Sequence, residues 1–253
     1  RMVSRELYAK GVANRVARQL QDLEIALSDD LAKVLARLST KDESRLIVGN
    51  YTTERLQRLI ALVHPFSIDW ARIVKDQLEA GAIDLIEAEI EFERQYLAAF
   101  ASDAGLAVTL DAAISPSQVF AAAKRRPMQT RLMREVFPDM SRNVKRRVTD
   151  SLRVSYQAGD SIGQAMARLR SDPVIGINRR GAEGLVRTGL AHYSHQATTD
   201  SLLAMGVEKI QWISSLDSRT TVGCAALDGK VFSLSDDRRP RVPRHFRCRS
   251  AVV

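Results

Sequence analysis

The residues best suited to chemistry lie together near the C-terminal end of the sequence. Cys224, His245 and Cys248 offer two thiols and an imidazole in one short stretch. Thiolate and imidazole are ligands that zinc prefers, and a thiol beside an imidazole can also become an activated nucleophile. The three residues are therefore candidates for a metal site or for a catalytic pair.

A metal site here would be one ligand short of a tetrahedral set. Zinc usually takes four ligands, so Asp217 or a water molecule would have to join Cys224, His245 and Cys248. We expect any metal held in this way to be structural. The alternative is that both cysteines are small buried apolar residues and that His245 donates a structural hydrogen bond. We predict no obligatory cofactor and leave a structural zinc open.

An enzymatic interpretation would use Asp217 as acid, Cys224 as nucleophile and His245 as base. A cysteine and a histidine at this separation occur together by chance in many chains, and no third group that orients the histidine is evident. Gly-rich phosphate loops, paired histidines at metal spacing and Gly-x-Ser-x-Gly elbows are also missing from the sequence. We predict that the chain is not an enzyme.

Composition narrows the possible classes of protein. The 253 residues carry a net charge of +8, and 45% of them are hydrophobic, as in a globular protein. No run of about 18 apolar residues predicts a membrane segment, and the charged opening residues do not resemble a secretory signal. Two cysteines suit a reducing compartment, so we expect synthesis in the cytoplasm. The positive charge favours an anionic neighbour such as nucleic acid.

The elements that must position these residues are mostly helices. Apolar residues three or four apart over residues 6–38 predict one long helix or a pair, and a capping-box pattern follows at residues 40–43. We predict that His64-Pro65 ends a helix, that helices follow over residues 67–80 and 82–100, and that residues 106–110 are extended. After breaks at Pro127 and Pro138, helices are predicted from Ser141, over residues 162–169 and from 178 to 205, with Gly206 as the stop.

The hydrophobic period changes after Gly206. Residues 209–213 and 230–234 alternate like strands, and Asp228-Gly229 is a strong tight-turn pair. We expect Trp212, Leu227, Val231 and Phe232 to fill a small core, and Asp217 to pair with Arg219. The predicted fold is thus mainly α: a long-helix N-terminal body with a small C-terminal α+β domain containing a short β-hairpin or sheet.

A strongly basic region lies between residues 124 and 153. Phosphate contacts are one explanation, because each lysine or arginine displaces counterions from a nucleic-acid backbone. A solvated helix face, or one docked on an acidic partner, explains the charge equally well. The candidates for DNA or partner contacts are Lys124, Arg125, Arg126, Lys145, Arg146 and Arg147.

An ordered set of residues in the last hundred positions resembles the signature of the phage Mu F-like family of minor head, or head morphogenesis, proteins. The set includes Thr188, Trp212, Asp217, Arg219, Cys224, Asp228, Gly229, Phe232, His245, Cys248 and Arg249. The resemblance covers about residues 150 to 253. It implies a variable helical region over residues 1–150 that docks on portal or capsid. A Mu F-like domain would follow over residues 151–253, with helices to about 206 and a β-containing cap over 207–253.

The resemblance implies a structural minor capsid protein of the virion. It would lie at the portal vertex or in the capsid interior, after synthesis in the host cytoplasm, and aid head assembly, genome packaging or DNA ejection. Its expected partners are the portal protein, the major capsid protein or scaffold, and packaged double-stranded DNA.

The sequence departs from the family pattern at three positions. Thr221 and Ser250 stand where members often have further cysteines, and Gly189 stands where an acidic residue is common. The alternative function is a phage-delivered, cysteine- or metal-dependent hydrolytic or toxin-like effector. We expect no fused toxin domain, because the motif runs to Val253.

Overall fold

The computed structural model describes residues 2–39, 53–105, 114–160, 164–165, 167–168 and 173–253. The capping box at residues 40–43 and the extended piece at 106–110 fall outside these ranges, as does most of the helix predicted over 162–169.

Helices make up most of the described chain, which confirms the predicted mainly α class. The apolar stripe predicted over residues 6–38 forms one continuous helix, with Val12, Val16, Leu20 and Leu31 fully buried. The helices are α1 (Met2–Ser39), α2 (Thr53–Asp103), α3 (Pro116–Arg125), α4 (Met133–Gln157), α5 (Pro173–Ala204) and α6 (Val222–Ala225).

The predicted break at His64-Pro65 and the division near residue 81 are both wrong, because α2 runs through them. A proline inside a helix costs about 3 kcal/mol, since it removes a hydrogen bond and crowds the preceding turn. Here buried Val63, Phe66 and Trp70 surround Pro65 on the same helix. Their burial, worth about 1.5–3 kcal/mol for each large apolar side chain, offsets that cost.

The helix predicted to begin at Ser141 begins instead at Met133 and contains Pro138. Met133 and Phe137 are buried, so the residues before the proline gain more from helical packing than the proline costs. Similarly, α5 begins at Pro173 rather than near residue 178. Proline is favourable at the start of a helix, where its missing N–H would have no partner anyway.

Helix α5 ends as predicted, with Gly206 at a φ of +78°. The N–H of Val207 donates to the carbonyl of Leu202 over 2.9 Å, a bond typical of helix ends of this kind. A three-stranded antiparallel sheet follows in the order β2-β1-β3, formed by β1 (Lys209–Ile213), β2 (Val231–Ser233) and β3 (Ala251–Val252). Ile210 pairs with Phe232, and Trp212 pairs with Val252.

The core beneath this sheet is centred on Trp212, which is fully buried. Leu227 and Phe232 pack against it, as predicted. The prediction for Val231 is wrong, because its side chain is 59% exposed. Successive side chains of a strand point to opposite faces, so the inward position of Phe232 turns Val231 toward solvent. The core cluster is Ala191, Leu202, Ile210, Trp212, Cys224, Leu234, Val242, Cys248 and Val252.

The chain divides into two compact units. The first unit consists of Arg1–Ala13, Gln77–Arg134 and Gly184–Val253, and it contains the sheet and its core. The second consists of Asn14–Asp76 and Glu135–Glu183 and is built from helices around Leu20, Leu31 and Trp70. None of the helices described above combines the length and the hydropathy that a membrane-spanning segment needs.

Candidate functional site

The two cysteines and His245 come together in the first unit. Cys224 lies on α6, whose first turn is capped by Thr221, because the Cys224 N–H donates to the Thr221 hydroxyl. Cys248 closes a turn in which its N–H donates to the His245 carbonyl over 3.1 Å, with Arg247 at a φ of +59°. This places the two sulfurs 3.9 Å apart, and all three ligand atoms lie within 4.8 Å of one another.

The imidazole of His245 is oriented by the backbone carbonyl of the next residue. Its Nδ1 lies 2.9 Å from the Phe246 carbonyl oxygen, so Nδ1 carries the proton and donates it to that oxygen. A proton on Nδ1 leaves the lone pair of Nε2 free to accept or to ligate. This hydrogen bond agrees with the alternative in which His245 has a structural role, and it is equally compatible with metal binding.

Helix α5 holds the loop that carries His245 and Cys248. The N–H of Arg247 donates to the Thr188 hydroxyl over 2.9 Å, and that hydroxyl donates to the Gly184 carbonyl over 2.6 Å. A Cβ atom at Gly184 would lie 2.4 Å from the Phe246 ring, so a larger residue here would force that ring to move away from the helix. The family-like threonine at position 188 is therefore a loop anchor.

A buried polar network lies behind the sheet. The Trp212 indole N–H donates to the Ser214 hydroxyl over 2.9 Å, and this hydroxyl donates to the Cys224 carbonyl over 2.8 Å. The hydroxyl of Ser250 lies 3.3 Å from that of Ser214 and is buried with it. Ser250 thus serves this network where the family often has a cysteine, as Thr221 serves the cap of α6.

The third departure from the family pattern, Gly189, also follows from packing. A Cβ atom at this position would lie 2.8 Å from the Leu78 side chain on α2. Leu78 is fully buried, so its side chain has little room to move. An acidic side chain would therefore not fit at position 189 of this chain.

Asp217 is paired mainly with Arg249. The Arg249 Nη1 donates to Asp217 over 2.6 Å, and its Nη2 donates to the other carboxylate oxygen. The predicted partner, Arg219, contributes its backbone N–H at 2.9 Å and a longer ion pair at 3.4 Å. The Arg249 hydrogen bonds, followed by that N–H, hold the pKa of Asp217 well below its usual range. Asp217 is thus an ionised carboxylate that is already engaged.

The Asp228-Gly229 pair forms the predicted tight turn. Gly229 has a φ of +75°, and the Lys230 N–H donates to the Leu227 carbonyl over 3.0 Å. The carboxylate of Asp228 accepts the Ser214 N–H over 2.7 Å, which ties the turn to the end of β1. The turn therefore positions β2 against β1.

The proposed acid, nucleophile and base do not form a relay. The Asp217 carboxylate is bonded to Arg249, whereas the Nδ1 of His245 is bonded to the Phe246 carbonyl. A triad requires the carboxylate to orient the imidazole, which in turn contacts the nucleophile. What the arrangement can do is hold a soft metal ion through two sulfurs and one imidazole nitrogen.

The six predicted DNA or partner contacts fall into the two different units. Lys124 is bonded to Glu79 at 2.9 Å, and Arg126 donates to Gln196 over 2.8 Å, while Arg125 is exposed. On α4, Arg146 is exposed, and Lys145 and Arg147 are half-buried. Their assignment to DNA or a partner stays a prediction.

Sequence reasoning missed a second polar centre inside the first unit. Buried Glu89 accepts the Ser194 hydroxyl over 2.6 Å, and Arg5, also buried, donates to the Ser250 carbonyl over 2.9 Å. Buried His195 lines the same small cavity. The sequence did contain one indication of this centre, the unusually polar segment from His192 to Ser201. The same segment would also be expected in a helix exposed to water, so it did not predict a buried polar centre.

Comparison with known proteins agrees with the motif. No curated protein and no solved structure matches the chain significantly. A family model does match: residues 143–253 fit the family described as phage Mu protein F like protein. This match confirms the resemblance predicted from the sequence and identifies the C-terminal part of the chain as phage Mu F-like, which points to a phage head morphogenesis protein.

Proposed function

We propose that the chain is a structural minor head protein of a tailed phage. In this proposal it is associated with the portal vertex or the capsid interior, where it aids head assembly and the packaging or ejection of the genome. The observation that carries the proposal is the family match over residues 143–253. The motif residues Trp212, Asp228 and Gly229 support it, because they serve the fold of the first unit rather than a reactive site.

A row of exposed aromatic residues on α2 supports a protein partner. Phe92, Tyr96 and Phe100 follow each other at helical spacing, with exposures of 40%, 59% and 59%. The rings of Phe92 and Tyr96 are stacked with centroids 6.1 Å apart. Aromatic residues are enriched at protein interfaces, and contiguous exposed apolar surface marks such sites. We assign this row to contact with the portal, the major capsid protein or the scaffold.

The test is binding to the portal protein encoded in the same genome. Wild-type chain is expected to bind assembled portal rings, and a Tyr96→Ser, Phe100→Ser variant is expected to bind at least about tenfold more weakly, because interface aromatics carry much of the affinity. An Ile25→Ser, Ile68→Ser variant is the matched control, since these side chains are 53% and 48% exposed but lie in the other unit. The readout is light-scattering or surface-plasmon binding, together with cryo-electron microscopy of virions. Virions that contain no copy of the chain would overturn the proposal.

The proposed DNA contact has its own test. Binding to double-stranded DNA should weaken steeply with salt, because log affinity falls against log salt with a slope of about −0.9 for each phosphate contact. Replacing Lys145 and Arg146 by glutamine should reduce that slope by about two. Replacing Arg72 and Lys75 by glutamine removes the same charge from exposed sites in the same unit and should leave the slope unchanged. Equal slopes in both variants would remove the DNA contact from this face of α4.

A further inference from the structure

The geometry around Cys224 and Cys248 is that of a metal site. Tetrahedral zinc with bonds of about 2.3 Å to sulfur and about 2.0 Å to nitrogen separates two sulfurs by about 3.8 Å and a sulfur from a nitrogen by about 3.5 Å. The two sulfurs here are 3.9 Å apart, and every pair of ligand atoms lies within 4.8 Å. The three ligand atoms are therefore close enough together for one ion to lie among them.

The backbone around each of the three ligands positions its side chain. The short helix α6 presents Cys224, and the turn from His245 to Cys248 presents the other two side chains. Because the Nδ1 proton of His245 is held by the Phe246 carbonyl, Nε2 is the nitrogen left to ligate. A hydrogen bond from the second ring nitrogen to a carbonyl is the usual support for a metal-bound histidine.

The side chains near the site favour a soft ion such as zinc over a hard cation. Arg219, Arg247 and Arg249 line the small cavity that borders Cys224 and His245. These arginines offer no oxygen ligand, which Mg²⁺ and Ca²⁺ need, whereas two thiols and an imidazole are ligands that suit Zn²⁺. Zn²⁺ then displaces one proton from each thiol, and the bound unit of two thiolates and Zn²⁺ is neutral.

Asp217 is not available as the fourth ligand. That carboxylate is already bonded by both terminal nitrogens of Arg249. The cavity is also lined by the polar residues Ser215, Thr220 and Ser250, which can hold a water molecule by hydrogen bonds.

We propose that Cys224 Sγ, Cys248 Sγ and His245 Nε2 bind one structural zinc ion, with water as the fourth ligand. The ion joins α6 to the segment that leads into β3. These two segments carry little regular structure of their own, and small domains of this kind often depend on a metal for stability.

The experiment uses the full chain, purified under reducing conditions from zinc-supplemented cells. Inductively coupled plasma mass spectrometry is expected to find one zinc per chain. Chelation should lower the Tm, and Co²⁺ replacement should give the visible bands of a tetrahedral thiolate site. His245→Gln should weaken zinc binding more than about a hundredfold, which exceeds the roughly 10–100-fold cost of losing one supporting hydrogen bond. His64→Gln, at an exposed histidine, is the matched control and should bind like wild type.

Three outcomes overturn the proposal. One is well under one zinc per chain in folded wild-type protein. Another is a Cys224–Cys248 disulfide in protein that was purified under reducing conditions, detected by mass spectrometry without a further reduction step. The last is equal zinc affinity in wild type and His245→Gln, with circular dichroism showing both to be folded. Because Cys248→Ala could fail to fold, the half-buried His245 carries the test. The portal-binding test does not depend on zinc, so the two proposals can fail separately.

Discussion

Ser214 connects three parts of the C-terminal fold through a single hydroxyl. It accepts the indole N–H of Trp212, donates to the carbonyl at Cys224 and lies beside the hydroxyl of Ser250. All four residues are buried, so water cannot replace a lost partner. A buried donor left without a partner costs more than the bond itself contributes.

We therefore expect Ser214→Ala to lower the free energy of unfolding by about 1–3 kcal/mol, since it leaves the Trp212 indole N–H unpaired. The exposed Ser235 is the matched control, and Ser235→Ala should stay within about 0.5 kcal/mol of wild type. Denaturant titration followed by tryptophan fluorescence measures both. Equal values for the two variants would contradict the role given to Ser214.

His195 lies on α5 with neither ring nitrogen hydrogen-bonded within the described residues. Burial, assisted by the positive charge of Arg239, lowers its pKa to about 3. Between pH about 6.5 and about 3 the unfolded chain binds a proton here that the folded chain does not. Lowering the pH through this window therefore favours unfolding, and His192, whose pKa is also lowered by burial, acts in the same direction.

The decrease in stability at acidic pH, which is the acid limb of the curve of unfolding free energy against pH, should reflect protonation of His195. Between pH 6 and pH 4 the free energy of unfolding should fall by up to about 1.4 kcal/mol per pH unit through His195. His195→Gln should flatten that limb, even if it lowers stability at neutral pH. His64→Gln should leave the limb unchanged, because this histidine is exposed. Urea titrations across pH measure the slopes, and an unchanged slope in His195→Gln would refute the assignment.

Helix α5 contacts the loop that carries His245 at a glycine. Two glycines on this helix differ in their surroundings: Gly184 faces the Phe246 ring, whereas nothing lies within 4 Å of a Cβ built at Gly181. Alanine favours helix by about 1 kcal/mol over glycine, so the two positions separate helix propensity from packing.

Gly181→Ala should raise the free energy of unfolding by about 0.5–1 kcal/mol. Gly184→Ala should lower it by about 1–3 kcal/mol, because the new methyl group pushes the Phe246 ring away from the helix. Adding Phe246→Ala to Gly184→Ala should restore part of the loss. Thermal and denaturant unfolding measure all three, and a stabilising Gly184→Ala would show that the loop does not depend on this contact.

The spacing of apolar residues predicted the helical class and the strands at 209–213 and 230–234, because this spacing can be read from neighbouring residues alone. The end of the helix at Gly206 was predicted in the same local way, from the glycine itself. Local prediction failed at Pro65 and Pro138, where neighbouring side chains gain more by packing than the proline costs. Val231 was missed because an alternating strand does not reveal which of its faces is inward.

The site was partly predictable for a similar reason. Cys224, His245 and Cys248 could be grouped by their types alone. Two other contacts could not be predicted: the pairing of Asp217 with Arg249 and the contact between Ser214 and Ser250. Each depends on how β1, β3 and the intervening loops meet in space. The basic residues at 124–126 and 145–147 appeared as one cluster in the sequence, but they belong to different compact units.

The first unit is assembled from three separate stretches of chain. Helix α1 supplies Arg5 to the carbonyl of Ser250, α2 supplies Glu89 to Ser194, and α3 supplies the Ala123 carbonyl to His192. Of the three stretches, the family-matched segment (residues 143–253) contains only Gly184–Val253, so α1, α2 and α3 all lie outside it. The family signature therefore covers part of a compact unit.

We expect residues 143–253 expressed alone to lack a cooperative unfolding transition, because Arg5, Leu78, Glu89 and Ala123 are then missing from the core of the first unit. The full chain should unfold cooperatively under the same conditions. Circular dichroism during thermal unfolding and size-exclusion chromatography compare the two. A monomeric fragment with a sharp transition would show that the matched segment folds independently.

The bond from Arg5 to Ser250 also has a consequence for biosynthesis. Its partners are 245 positions apart, and β3 completes the sheet only with Ala251 and Val252. A ribosome adds about 5–20 residues per second, so α1 waits many seconds after it emerges before this partner is made. Closure of the first unit must therefore follow translation of residue 252. Partly translated chains therefore lack the third strand of the sheet and the hydrogen bond that joins α1 to it.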